Sequence, residues 1–301
     1  MVGEIAANPW RFQPHVEVWL LVVFLVASYI YVVRVLGPKA VPAGEPVITR
    51  RQLWCFIAGI SILWLATDWP MHDIAEEYLY TVHMVQHMCL TYFMPPLVIL
   101  ATPEWFVRTL VGEGRAYRAL RFMTFPVLAG LLFNIGVMVS HIPGVVNASV
   151  SNGPLHYFVH VVLVSTSILM WLPVCGPFKE FQITPMAKMI YLFLNSVVAT
   201  VPAGWLTFAE GVVYKHYNIP IRVWGISVSD DQQIAGAIMK LGGSTFLWSI
   251  IGVMFYKHFV KTFRDENKDD YDHKEIEIIE EPLTTADVMK AFSESSAPIE
   301  K

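Results

Sequence analysis

Charge is what this sequence has least of. Only 15% of its 301 residues are Asp, Glu, Lys or Arg, against 55% that are hydrophobic, and the mean hydropathy is +0.49. A chain so poor in charge is too apolar to cover the surface of an ordinary soluble domain, which points instead to an all-α, polytopic membrane protein. Cysteine is scarce as well. Cys55, Cys89 and Cys175 fall in or beside apolar segments and form no CxxC pair, so neither a disulfide framework nor a thiolate metal site is expected. The opening stretch MVGEIAANPWRFQPH has no basic n-region and no small-residue cleavage site, and the first apolar span is therefore expected to stay as a helix. Nothing resembles a nucleophile–base pair, a phosphate-cradling glycine loop or an internal repeat. The expectation is a protein that is not an enzyme and has no nucleic-acid partner.

What the sequence does have is long apolar runs. A bilayer core of about 30 Å needs roughly 20 apolar helical residues, and seven segments qualify, at about 18–35, 52–67, 79–101, 122–140, 155–174, 186–208 and 234–256. The second is the shortest. Lys and Arg divide between alternate connections: 17 of the 21 lie in the first–second, third–fourth and fifth–sixth loops and in the tail. On the other side stand only Arg11, Lys215 and Arg222, with Lys240 inside the seventh span. The positive-inside rule then predicts seven transmembrane helices with the amino terminus outside and the carboxyl terminus cytoplasmic. Residues 1–260 form the expected transmembrane domain. Residues 261–301 read as a charged, mostly disordered cytoplasmic tail, with one short helix at 284–293 in LTTADVMKAF, where a threonine can cap and Val288 and Phe292 share a face.

The chain also places imidazoles where hydrocarbon is expected. His83 and His87 lie in the first two turns of the third span, and His156 and His160 hold the same position in the fifth. A rise of 1.5 Å per residue puts His83 roughly 6 Å and His160 roughly 7 Å below the starts of their helices, so the two pairs can meet at one depth. Residues four apart share a helix face, the spacing by which one helix offers a metal two ligands. A single intramembrane histidine can be a packing residue; two pairs at matched depth point to a bound metal or haem. His72 and His141, near the same outer surface, are candidate additional ligands. Asp68, Gln86 and Asp231 are candidates to orient the rings, and Lys240 to pair with an acidic group near them. Imidazole suits copper, zinc, iron and nickel. Met84 and Met88 lean toward Cu(I), but each sits one residue round from a histidine, and they and Cys89 read as packing. Pro95-Pro96 and the stretch TVPAGW should kink their helices.

Three stretches, HMVQHMCLTYFMPPLVILATPEW, HIPGVVNASVSNGPLHYFVHVVLVSTSILMWLPV and DDQQIAGAIMKLGG, resemble the signature regions of the multi-span CtaG-like cytochrome c oxidase assembly factors, a likeness running from about 68 to 256. The single-span copper chaperone that shares the name is a different protein. The resemblance implies a multi-pass protein of the bacterial plasma membrane, needed to make active haem–copper oxidase and acting in copper supply. Its implied partners are oxidase subunits or other copper chaperones. By position, His83 and His87 match the third-span motif, His156 and His160 the fifth-span motif, and Asp231 and Gln232 the motif opening the seventh. The chain departs from the pattern at Val159, where the family often has an acidic residue, and so leaves His160 without that neighbour. The leading expectation is a copper site, as Cu(I), facing outward. The alternatives are a b-type haem-binding electron-transfer protein and a copper permease.

Overall fold

The computed structural model describes residues 8–279 and 284–295, and among these every regular element is a helix. In chain order they are α1 (Val16–Ala40), α2 (Arg50–Thr67), α3 (Met71–Glu77), α4 (Tyr80–Ala101), α5 (Glu104–Val111), α6 (Arg115–Met123), α7 (Pro126–Ser140), α8 (Pro143–Ser151), α9 (Gly153–Cys175), α10 (Pro185–Thr207), α11 (Val228–Ile279) and α12 (Thr285–Ser295). Five of them, α1, α4, α9, α10 and α11, are long and apolar enough to cross a membrane alone. The number rises to seven if α2 with α3, bent by 43°, and α6 with α7, bent by 65°, each count as one span. The sequence reading had the second and fourth spans as single runs. The first break opens at Asp68, which is extended two residues ahead of Pro70, and the second at Phe125, which is non-helical (φ −58°, ψ 124°) directly ahead of Pro126. A residue directly preceding proline is pushed out of the helical region, which accounts for the turn in direction at Phe125.

The chain divides into two units, Met1–Ile251 and Gly252–Lys301. The second contains the end of α11, where the rings of Phe255, Phe259 and Phe263 stack in succession, and α12. Thr284 caps α12 by accepting the Asp287 amide at 3.3 Å, and Val288 and Met289 are exposed on it.

In the first unit, α4 is the helix that everything else positions. Pro95 has no N–H to give the carbonyl four residues back, so the Thr91 carbonyl would be left unbonded inside an apolar core. The backbone widens into a π turn over Cys89–Phe93. The freed carbonyl accepts from Ser167 Oγ and, at 3.3 Å, from Trp171 Nε1, both on α9. The proline pair therefore ties α4 to α9 at a set depth, rather than opening a gap between helices. At its other end α4 is capped by Asp231 of α11, whose carboxylate accepts the Tyr80 and Thr81 amides at 2.9 Å each. Helix starts leave such N–H groups without partners, and a carboxylate there also meets the positive end of the helix dipole.

The loop between α10 and α11 holds α3 in the same way from its carboxyl end. Tyr217 Oη donates to the Ala75 carbonyl at 3.0 Å, and His216 Nε2 lies 3.0 Å from the Glu76 carbonyl. Below the loop, Tyr80, Met84, Val146, Leu206, Tyr214, Tyr217 and Ala235 form one buried cluster. Close backbone approach completes it. A Cβ on Gly236 would stand 2.7 Å from the Thr207 amide and 2.9 Å from the Ala203 carbonyl, so α11 meets α10 where only glycine fits.

Candidate metal centre

Glu76, at the end of α3, carries the site. Its side chain is 13% exposed, and Oε1 lies 3.2 Å from His83 Nδ1, 3.3 Å from His156 Nε2 and 4.0 Å from His160 Nε2. One carboxylate oxygen thus faces rings from both α4 and α9. A carboxylate withdrawn from water costs several kcal/mol unless it is paired. Here the pairing is imidazole. A carboxylate only accepts, so His83 Nδ1, in hydrogen-bond geometry with it, carries a proton.

The four histidines expected to meet do so. Ring centroids are 4.4 Å apart for His83–His87 and for His156–His160, 5.0 Å for His87–His160 and 6.0 Å for His83–His160. His156 Nε2 is buried with no hydrogen-bond partner, although Glu76 Oε1 is only 3.3 Å away. The Glu76, His156 and His160 donor atoms all lie within 4.8 Å of one another. Bonds of about 2.0–2.1 Å around a tetrahedral ion set neighbouring donors about 3.3 Å apart, close to the Glu76–His156 spacing and shorter than the Glu76–His160 one. Three donors, one of them the unpartnered His156 Nε2, fit a divalent transition metal.

The surrounding residues divide by what they touch. Gln86 Nε2 donates to the Ala66 carbonyl at 2.8 Å and to His72 Nδ1 at 3.0 Å, which turns the His72 ring toward His156 with centroids 6.2 Å apart. His15 packs edge-on to His72 at 4.9 Å and reaches Asp73 at 3.2 Å. His141 stands 5.9 Å from His87 by ring centroids. Asp68 touches none of the histidine rings: its carboxylate accepts Trp19 Nε1, Trp64 Nε1 and the Trp69 amide at 2.7–2.9 Å. Asp231 caps α4 as described and lies 3.9 Å from Arg222 Nη2. Lys240 is half-buried on α11, with no ion pair to it among the described residues. Tyr214, in the clasping loop, has its phenol pushed up to about 12 by burial; it therefore stays protonated and donates to the His141 carbonyl at 2.9 Å. Burial pushes the Tyr217 phenol well up for the same reason.

Glu76 is the residue that sequence reasoning missed. A signal was present: Glu76 follows His72 by four, the spacing that had singled out the histidine pairs. It also supplies, from α3, the acid beside His160 whose absence at position 159 was noted. All three cysteines are free, and Cys89 packs beside Ala66, Leu90 and Met94.

Residues 27–260 match the family model described as cytochrome c oxidase caa3 assembly factor (Caa3_CtaG). No curated protein and no solved structure was found to match.

Proposed function

Because the chain belongs to the cytochrome c oxidase caa3 assembly factor family, we propose that it serves oxidase assembly by holding copper at the Glu76–histidine site and passing it on. The observation that carries this reading is the single Glu76 oxygen within 3.2–4.0 Å of three imidazole nitrogens from two helices. In this reading the chain crosses a bacterial plasma membrane seven times, with its amino terminus outside. The site opens to the outer face, and the receiver is an oxidase subunit or another copper chaperone. In this reading the protein acts as a carrier, as its family of assembly factors suggests. Its residues bind and release: Glu76 neutralises part of the cation's charge, His156 and His160 supply nitrogen donors, and Gln86 holds His72 at the rim.

Haem is less well supported. A porphyrin between axial histidines would have to part rings that now lie 4.4–6.0 Å apart by centroid and are packed against Glu76. The test is copper per chain by elemental analysis of purified protein, wild type against Glu76→Gln/His160→Ala. Stoichiometric copper lost in the double variant is expected. Equal copper in both proteins, or a Soret band that survives purification, would overturn the reading.

A further inference from the structure

Met84 and His141 sit beside this site without belonging to it. His141 Nε2 lies 3.4 Å from Met84 Sδ, and both residues are buried, at 6% and 1% exposure. The contact resembles a hydrogen bond only until the proton is located. His141 Nδ1 is 2.7 Å from the Val137 carbonyl, which can only accept, so in the neutral ring the proton is on Nδ1. Ser140 does not change this, because its hydroxyl proton goes to the same carbonyl at 2.9 Å. Nε2 therefore presents a bare lone pair to a thioether sulfur, itself a lone-pair donor. Two buried Lewis bases aimed at each other with no proton between them gain nothing from the contact, whereas a soft cation between them would bind to both.

The separation fits such an ion. Metal–nitrogen and metal–sulfur bonds of about 2.0 and 2.3 Å place the donor atoms about 3.5 Å apart at a tetrahedral angle. Met84 lies three residues before His87, and residues so spaced share a helix face. His87 is 5.9 Å from His141 and 5.0 Å from His160 by ring centroids, so it stands between this pair and the Glu76 site. Met88 is placed differently: it packs on α11, where a Cβ on Gly242 would come within 2.8 Å of its sulfur. The Tyr214 phenol donates to the backbone carbonyl of His141, and the Val137 carbonyl holds the far side of the imidazole at Nδ1.

We propose a second, softer metal subsite, formed by His141 Nε2 and Met84 Sδ with His87 at its edge, that takes Cu(I). It deepens the copper reading above and rests on it. Thioether and imidazole donors select Cu(I), while the carboxylate of the first site suits a harder, divalent ion. One chain therefore offers copper two environments of different softness, joined by His87.

X-ray absorption at the copper edge, on full-length purified protein loaded anaerobically with Cu(I), tests this. Wild type is expected to show a sulfur scatterer in the copper shell. Met84→Leu, which conserves volume at a buried position, loses that scatterer and the copper it held, while Glu76→Gln/His160→Ala keeps it. Met239 packs against the same cluster as Met84, and Met239→Leu should leave the sulfur in place. Copper with no sulfur in wild type, sulfur undiminished in Met84→Leu, or sulfur lost in Met239→Leu overturns the inference. Each of these leaves the Glu76 site standing if its double variant still sheds nitrogen- and oxygen-bound copper. If only that loss fails to appear, the soft subsite survives and the earlier reading falls; absence of copper from wild type removes both.

Discussion

Two groups of polar side chains lie among the helices of the first unit, and they are built on opposite rules. Between α7, α9 and α10, Asn134 Nδ2 donates to the Gly130 carbonyl at 2.7 Å and to Asn195 Oδ1 at 2.8 Å. Asn195 Nδ2 donates to the Tyr191 carbonyl at 2.8 Å, and the Tyr191 hydroxyl to the Met170 carbonyl at 3.1 Å. The N–H and O–H groups named there each have an acceptor, and one acceptor, Asn134 Oδ1, is left without a partner. Such a group holds helices together and asks for nothing more. Around Glu76 the matching fails at nitrogen: one carboxylate oxygen faces three imidazole nitrogens, His156 Nε2 has no hydrogen bond, and beside this group His141 Nε2 faces a sulfur. Polar groups that satisfy one another are structural; lone pairs that converge without protons describe the shape of a cation.

Three variants break or sharpen that contrast. The largest effect belongs to Glu76→Gln/His160→Ala, which removes two donors and should weaken copper binding by about 100-fold or more, since even supporting partners of metal ligands cost 10–100-fold. Equilibrium competition against a copper chelator measures it, and unchanged affinity would erase the distinction between the two groups. Next is Asp231→Ala, which strips the cap from α4 and leaves two amides unbonded, at a cost of about 1–2 kcal/mol. Unfolding in detergent should show the loss, while bound copper at low temperature stays at the wild-type ratio. The smallest is Asn195→Ala in the satisfied group. Interhelical hydrogen bonds in membranes average about 0.6 kcal/mol, so a slight loss of stability with unaltered copper content is expected. Copper lost in Asn195→Ala would mean that the two groups are not separate.

Much of this was legible before any coordinates. The paired spacings at 83/87 and 156/160, together with the depth at which each pair enters its helix, were enough to predict that those four rings would meet, because helix rise and period are fixed by the backbone. Gln86 was legible as a candidate partner for a ring because it is an amide placed toward the same end of its span as the histidines. Asp68 and Asp231 were placed at the right end of the molecule, yet each is taken up elsewhere, by tryptophan N–H groups and by the start of α4. Which acceptor meets which donor depends on how helices rotate against one another, and hydropathy does not report rotation.

The sequence by itself determined that the chain is helical, with several helices long and apolar enough to cross a membrane, and that the imidazoles of two of them would gather, because apolar length and a period of 3.6 are local properties. Only the tertiary structure decided that the ring cluster has a carboxylate at its centre and a thioether at its edge. Glu76 arrives because α2 ends at Thr67 and α3 sets off at a bend of 43°, held by Tyr217 and His216 from a loop some 140 residues further along the chain. Met84 becomes a donor only when α7 brings His141 to within 3.4 Å of it. Contacts between residues so distant in sequence are set by packing, and packing is where the chemistry of this site was settled.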